Sequence, residues 1–200
     1  MIPKKNIPTY AEFYEGRYFT PGEERITNLR LGEYEIPFGT NLLFCCEELP
    51  ELVLGCEICE DLWVADPPST SHALAGATVI ANLSASNETV SKDTYRELLV
   101  KSTSARLLCG YIYTSAGEGE STQDLVFGGH NLIAENGTLL AQSSRFATGI
   151  LYTDLDVLKI SSERRRMGTF GKQPAASYCK IPFSMELMET RLERKFAAHP

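Results

Sequence analysis

Two apolar runs, LVLGCEIC at 52–59 and TVIANLSAS at 78–86, bracket the small-residue stretch TSHALAGA at 70–77. Apolar runs of that length read as buried strands, and the stretch between them reads as a short helix with Ser or Thr available as N-cap. Strand, helix, strand is a βαβ-like unit, which commits the chain to a sheet that carries helices.

The flanks are compatible with that sheet. Residues 1–24 are rich in Pro, Tyr and Phe with acidic punctuation and suit an extended, surface-covering loop. From Asn28 to Cys59, short alternating or apolar runs broken by IPFGT and ELPEL give consecutive strands. Between Lys92 and Cys109, Tyr95, Leu98, Leu99, Ser102, Ala105 and Leu108 recur at helical spacing with Arg and Lys on the other face. GYIYTSAG follows as a strand and EGESTQD as a loop. Asn136-Gly137 then separates two alternating apolar runs, a hairpin signal because both central residues of a type I′ turn need positive φ. GILYTDLDVLKISSERRRMG reads as one more strand feeding a helix, and FSMELMETRLERKFAAHP as a helix or an extended arm leaving the domain. Early alternation and late hairpin pairing together predict an α/β class with a mixed sheet. There is no internal repeat.

Composition narrows the function classes. With 200 residues, 43% hydrophobic and 22% charged, the chain supports one sizeable core and one domain. A net charge of −7 without a basic arm argues against nucleic acid or an anionic membrane as partner. SERRRMG at 162–168 alone concentrates positive charge, and it reads as a solvated helix face. The N-terminus lacks the apolar core of a signal peptide and no run has membrane-span length, so the expected location is cytoplasmic. The six cysteines are then expected to be reduced thiols, most of them small buried hydrophobes.

Cys56 and Cys59 have C-x-x-C spacing, but a structural zinc site needs four N or S ligands and no second pair stands at ligand spacing. No metal is expected. A redox pair belongs at a helix N-terminus, whereas Cys56 alternates into a strand. Cys59 instead ends the strand at EDLW and presents its thiol at the carboxyl edge of the sheet, where α/β proteins keep their ligands. A thiol needs an adjacent base or cation to act near neutral pH. His72, His130 and His199 each sit in unsuitable surroundings, so lysine and glutamate become the candidates.

EICEDLW, PPS, LAGATVIANLSAS, YRELLVKSTSAR, YIYTSAGEGESTQDLVFGGHNLIAENG and ERRRMGTF occur in this order. This series resembles the glutamine-hydrolysing domain of glutamine-dependent NAD+ synthetases, a branch of the nitrilase superfamily, over nearly the whole chain. The resemblance implies part of a nitrilase-like α-β-β-α sandwich and a Glu, Lys, Cys triad for amide hydrolysis. Cys59 matches the nucleophile, Lys4 the catalytic lysine and Glu15 a second, supporting glutamate. Tyr10, Glu60, Trp63, Ser86 and Lys92 match residues that recognise glutamine, with Lys92 standing where an arginine can stand and a point charge replacing a planar fork.

The implied activity is glutamine amide hydrolysis that supplies ammonia for ATP-dependent conversion of deamido-NAD to NAD+. No cofactor is implied for the glutaminase region, and ATP and Mg2+ only for a synthetase domain. The expected partners are glutamine, the synthetase domain or chain, and further copies of this chain. In the family the general-base glutamate precedes the lysine, and the sequence starts three residues before Lys4. The expectation is therefore a single partial domain over 1–200, with 180–200 an arm toward the synthetase domain, and a chain poorly active alone. A fragment of a longer or split polypeptide is favoured over a product that has lost its base. By analogy the loop from Glu118 to Ser121 is expected near the site or a domain interface. Two other readings stand beside this one: an amidase of the wider superfamily, and a non-catalytic assembly module.

Overall fold

The computed structural model describes residues 1–11, 13–120, 124–171, 177–188 and 191–200. A first hairpin, β1 (Thr27–Leu31) with β2 (Tyr34–Phe38), stands apart from the main sheet. That sheet has seven strands: β3 (Leu42–Cys46), β4 (Val53–Ile58), β5 (Val79–Ser84), β6 (Gly110–Ser115), β7 (Leu132–Glu135), β8 (Thr138–Gln142) and β9 (Cys179–Phe183). Their order is β8-β7-β6-β5-β4-β3-β9. The helices are α1 (Pro68–Leu74), α2 (Lys92–Leu107) and α3 (Val157–Arg166).

The centre of the sheet is parallel and its flanks are mostly antiparallel, which makes it mixed as expected. β4, β5 and β6 run in one direction, with Ile58 beside Leu83 and Leu83 beside Thr114. A parallel pair requires a long crossover, and α1 and α2 supply the two that are needed. The three strands therefore finish at one edge, where Ile58, Leu83, Ser84, Thr114 and Ser115 end up together.

Leu43, Ala73, Ala77, Ile80, Val100, Leu107, Tyr111, Leu132 and Ala134 fill the core between the sheet and the helices. The Asn136-Gly137 turn has φ of 46° and 81°, the positive pair a type I′ turn requires. A Cβ on Gly137 would also stand 2.8 Å from the Ala105 Cβ, so glycine lets the turn close against α2.

Several elements differ from the expectation. α2 buries Arg96, Val100, Thr103, Ser104 and Leu107, while Tyr95 and Leu98 are exposed. The apolar count pointed to another face because Arg96 finds partners inside. α1 starts at Pro68 with Pro67 as its cap residue, since proline already has a helical φ at that position and no hydroxyl cap bond forms. The stretch before α3 is no strand; its Leu155 lies where a Cβ on Gly110 would stand, at 2.8 Å.

SERRRMG is a solvated face only in part: Arg165 and Arg166 are exposed, and Arg164 is not. Arg164 donates to the carbonyls of Leu107 and Leu108, each at 2.9 Å, satisfying the C-terminal end of α2. The carboxy-terminal segment first adds β9 in parallel beside β3. Residues 191–200 lie against the domain, where Arg194 binds both oxygens of buried Glu135 at 3.0 and 2.9 Å. No helix among the described residues is long and apolar enough to cross a membrane.

Candidate active site

Cys59 follows the last residue of β4 and opens a short 3-10 turn, Cys59–Leu62. Its φ is +53°, a left-handed conformation that costs a non-glycine residue about 1–2 kcal/mol. The turn is held by its neighbours. The backbone N–H of Cys59 donates to Asn82 Oδ1 at 3.2 Å, and Asn82 Nδ2 donates to the Cys59 carbonyl at 3.4 Å.

Asn82 in turn donates to Glu57 Oε1 at 3.4 Å, and Glu57 also accepts from the Ser69 N–H at 2.9 Å and from the Tyr111 hydroxyl. Burial pushes the Glu57 carboxyl above its ordinary range, while the Tyr111 and Ser69 donors oppose the rise. Glu57 and Asn82 were not singled out in the sequence. The signal available was a polar residue inside each of two apolar runs, on the face turned to α1.

Two cavities meet at Cys59. One, of about 460 Å³, is lined by Lys4, Glu15, Cys59, Glu120 and the strand ends Ile58, Leu83, Ser84, Thr114 and Ser115. Lys4 Nζ stands 3.7 Å from Glu15 Oε1, and both side chains are largely sheltered. Glu15 Oε2 is buried with no hydrogen-bond partner among the described residues. Lys5 turns elsewhere and pairs with Glu24 at 2.8 Å. Glu120 brings the EGESTQD loop to this cavity, whereas Ser121, Thr122 and Gln123 lie outside the described residues.

The other cavity, of about 300 Å³, is lined by Tyr10, Phe13, Cys59, Glu60, Trp63, Ser86, Asn87 and Lys92 among others. It brings together Tyr10, Glu60, Trp63, Ser86 and Lys92, the five residues expected to recognise substrate. The Tyr10 hydroxyl donates to both Glu60 oxygens at 2.9 and 3.0 Å. Burial, then Glu60, pushes the Tyr10 phenol up to about 12, so it remains a donor at neutral pH. The Lys92 ammonium lies 5.1 Å from the Trp63 ring centre, within cation–π range, and donates to Asn87 Oδ1. Burial and the nearby Arg96 charge push Lys92 below the usual lysine range.

Behind Ser86 lies a buried polar network that the sequence did not disclose. Arg96, fully buried, donates to Glu88 at 3.3 Å, to His130 Nδ1 at 2.9 Å and to Ser86 Oγ at 3.4 Å. All six cysteines are free thiols. Among the described residues no cluster of His, Cys, Asp or Glu is arranged to hold a metal ion.

Cys59 thus stands at the carboxyl edge of a mixed sheet with crossover helices, the place where α/β proteins keep their ligands, beside a cavity that carries a lysine and a carboxylate. The carbon-nitrogen hydrolase family model matches residues 1–165, and the chain belongs to that family. A glutamine-dependent NAD(+) synthetase of Mycobacterium tuberculosis is 46% identical over 194 residues, covering 93% of this chain and 29% of the relative. The chain thus spans under a third of that relative's length.

A crystal structure of a glutamine-dependent NAD(+) synthetase from Cytophaga hutchinsonii aligns with TM-score 0.63 and 28% identity, over 76% of this chain and 24% of that one. A nitrilase-superfamily structure from Saccharomyces cerevisiae aligns with TM-score 0.55 at 21% identity, over 78% of this chain and 49% of that one. The nitrilase-like α/β fold expected from the sequence is the fold of the chain.

Proposed function

We propose that this chain hydrolyses the side-chain amide of glutamine and that the ammonia serves an ATP-dependent NAD+ synthetase portion outside these residues, converting deamido-NAD to NAD+. One observation carries the reading: Cys59 is common to a cavity bearing Lys4 and Glu15 and to a cavity bearing Tyr10, Glu60, Trp63, Ser86 and Lys92. A substrate held in the second cavity places its reactive carbon at the boundary, where the thiol stands.

In this scheme the Cys59 sulfur attacks the amide carbon, the C–N bond breaks and ammonia leaves with a proton. Water then cleaves the thioester to give glutamate and the free thiol. Lys4 and the backbone N–H of Glu60 stabilise the tetrahedral oxyanion, donors commonly worth about 3 kcal/mol each. Glu15 keeps the Lys4 ammonium in place. Tyr10 orients the Glu60 carboxylate toward the substrate ammonium group, and Lys92 meets the substrate carboxylate.

ATP and Mg2+ belong to the synthetase portion in this reading. Residues 1–200 then act as one glutaminase unit, working in the cytoplasm, where free thiols persist, and as part of a homo-oligomer.

A glutamine-mimicking diazoketone tests the assignment. It is expected to add covalently to Cys59 alone, glutamine is expected to protect, and Cys59→Ala is expected to remain unlabelled. Labelling spread over other cysteines, or protection by simple amides but not by glutamine, would overturn the reading.

A further inference from the structure

The turn that presents Cys59 holds two adjacent acids, and only Glu60 faces the substrate cavity. Asp61 is fully buried and points the other way, toward the N-terminal segment that carries Lys4. Its Oδ1 accepts from the Asn6 N–H at 2.7 Å and from Asn6 Nδ2 at 2.9 Å. Its Oδ2 accepts from the Ile58 N–H at 2.9 Å and, more weakly, from the Lys5 N–H at 3.4 Å.

One carboxylate therefore clamps the residue before the nucleophile and the two residues after the lysine. Residues 1–9 belong to no helix or strand, so the sheet does not set the position of Lys4. The other bonds near Lys4 run elsewhere: the Gly22 N–H donates to the Lys4 carbonyl at 2.7 Å, and Lys5 pairs with Glu24. Asp61 joins that segment directly to the Cys59 turn. Each charged or partly buried hydrogen bond of this kind stabilises its own geometry, and here four of them converge on one group.

We infer that Asp61 is a positioning residue: it sets the separation of the Lys4 ammonium from the Cys59 thiol, and through it the reactivity of the thiol and the aim of the oxyanion donor. The inference rests on the Lys4–Cys59 pairing proposed above, and it assigns Asp61 no contact with substrate.

The test is the rate of Cys59 carbamidomethylation by iodoacetamide at pH 7, followed on the Cys59 peptide of the full chain. A cation placed beside a thiol favours its attack as a nucleophile, so Lys4→Met is expected to slow the reaction roughly tenfold. Asp61→Asn is expected to slow it by a similar factor, and the double variant no further, because Asp61 acts through Lys4. Should Asp61→Asn not fold, Asn6→Leu removes one of the four donors; it is expected to slow alkylation by a smaller factor that also vanishes in the Lys4→Met background.

If Lys4→Met leaves the rate unchanged, the Lys4–Cys59 pairing fails and the inference with it. If Lys4→Met slows the reaction while the Asp61 or Asn6 variants match wild type, or if their effects add to that of Lys4→Met, the pairing stands and the role of Asp61 is overturned.

Discussion

The two cavities that meet at Cys59 take their shape from different sources. On the lysine side, five lining residues are the ends of β4, β5 and β6, whose places are set by the backbone ladder. On the substrate side the walls are side chains held by one another: Trp63 stacks on Tyr95 with ring centres 5.7 Å apart, Lys92 sits over Trp63, and Arg96 supports Ser86 from behind. A ladder is insensitive to most single side chains, whereas a side-chain network depends on each member. The strand-end wall of the lysine side should therefore withstand substitutions that collapse the substrate side, while Lys4 itself, outside the ladder, depends on Asp61.

Arg96 gives the largest contrast. Replacing it with Met leaves buried Glu88 without its cation, a loss commonly costing about 3–5 kcal/mol when one partner of a buried pair is removed. Urea unfolding of Arg96→Met should show that loss, and glutamine protection of Cys59 should weaken more than the iodoacetamide rate changes. A stability equal to wild type would mean the substrate wall does not hang on this network.

Beneath the lysine side, His72 makes the ladder region pH-sensitive. Its Nε2 donates to the Cys56 carbonyl at 3.1 Å, so its Nδ1 is left to accept from the Tyr178 hydroxyl at 2.9 Å. Burial pushes its pKa down to about 4. The folded state thus binds this proton less tightly than the unfolded chain, and the stability linked to His72 is full above pH 6.5 and lost as pH falls toward 4.

A shift of that size corresponds to about 3 kcal/mol. Glu57, raised by burial, works in the opposite direction, since its folded form holds the proton more tightly as pH falls. Comparing wild type with His72→Gln by thermal unfolding between pH 7 and 4.5 isolates the histidine. The variant should lose less stability on acidification, and identical slopes would contradict a neutral buried His72.

Lys92→Met is the smallest of these changes. Removing one exposed-to-ligand charge from the substrate wall should raise the glutamine concentration that halves diazoketone labelling about tenfold, close to 1.4 kcal/mol. No change would assign Lys92 to the wall alone.

Much of the ladder was legible in the sequence. The apolar runs around Cys56 and Ile80, the small residues between them, and Asn136-Gly137 each state a local rule that the fold obeys. Cys59 was legible for the same reason, as the polar end of an apolar run. Arg96 was not, because helical periodicity counts apolar residues and the partners that make its burial tolerable come from the loop after β5 and the loop before β7. Asp61 was equally hidden: its donors on Lys5 and Asn6 are far away in sequence, and no local pattern announces them. β9 was missed because its short run is isolated and its partner, β3, is distant. Local chemistry was readable; the long-range polar contacts that align it were not.

The central claim is that Cys59 is the nucleophile at the meeting point of the two cavities and that its substrate is glutamine. Its most direct test is release of glutamate and ammonia from glutamine by the purified chain, with Cys59→Ala measured alongside. The account predicts slow but equal release of the two products, abolished in the variant. Release that persists in Cys59→Ala would contradict it.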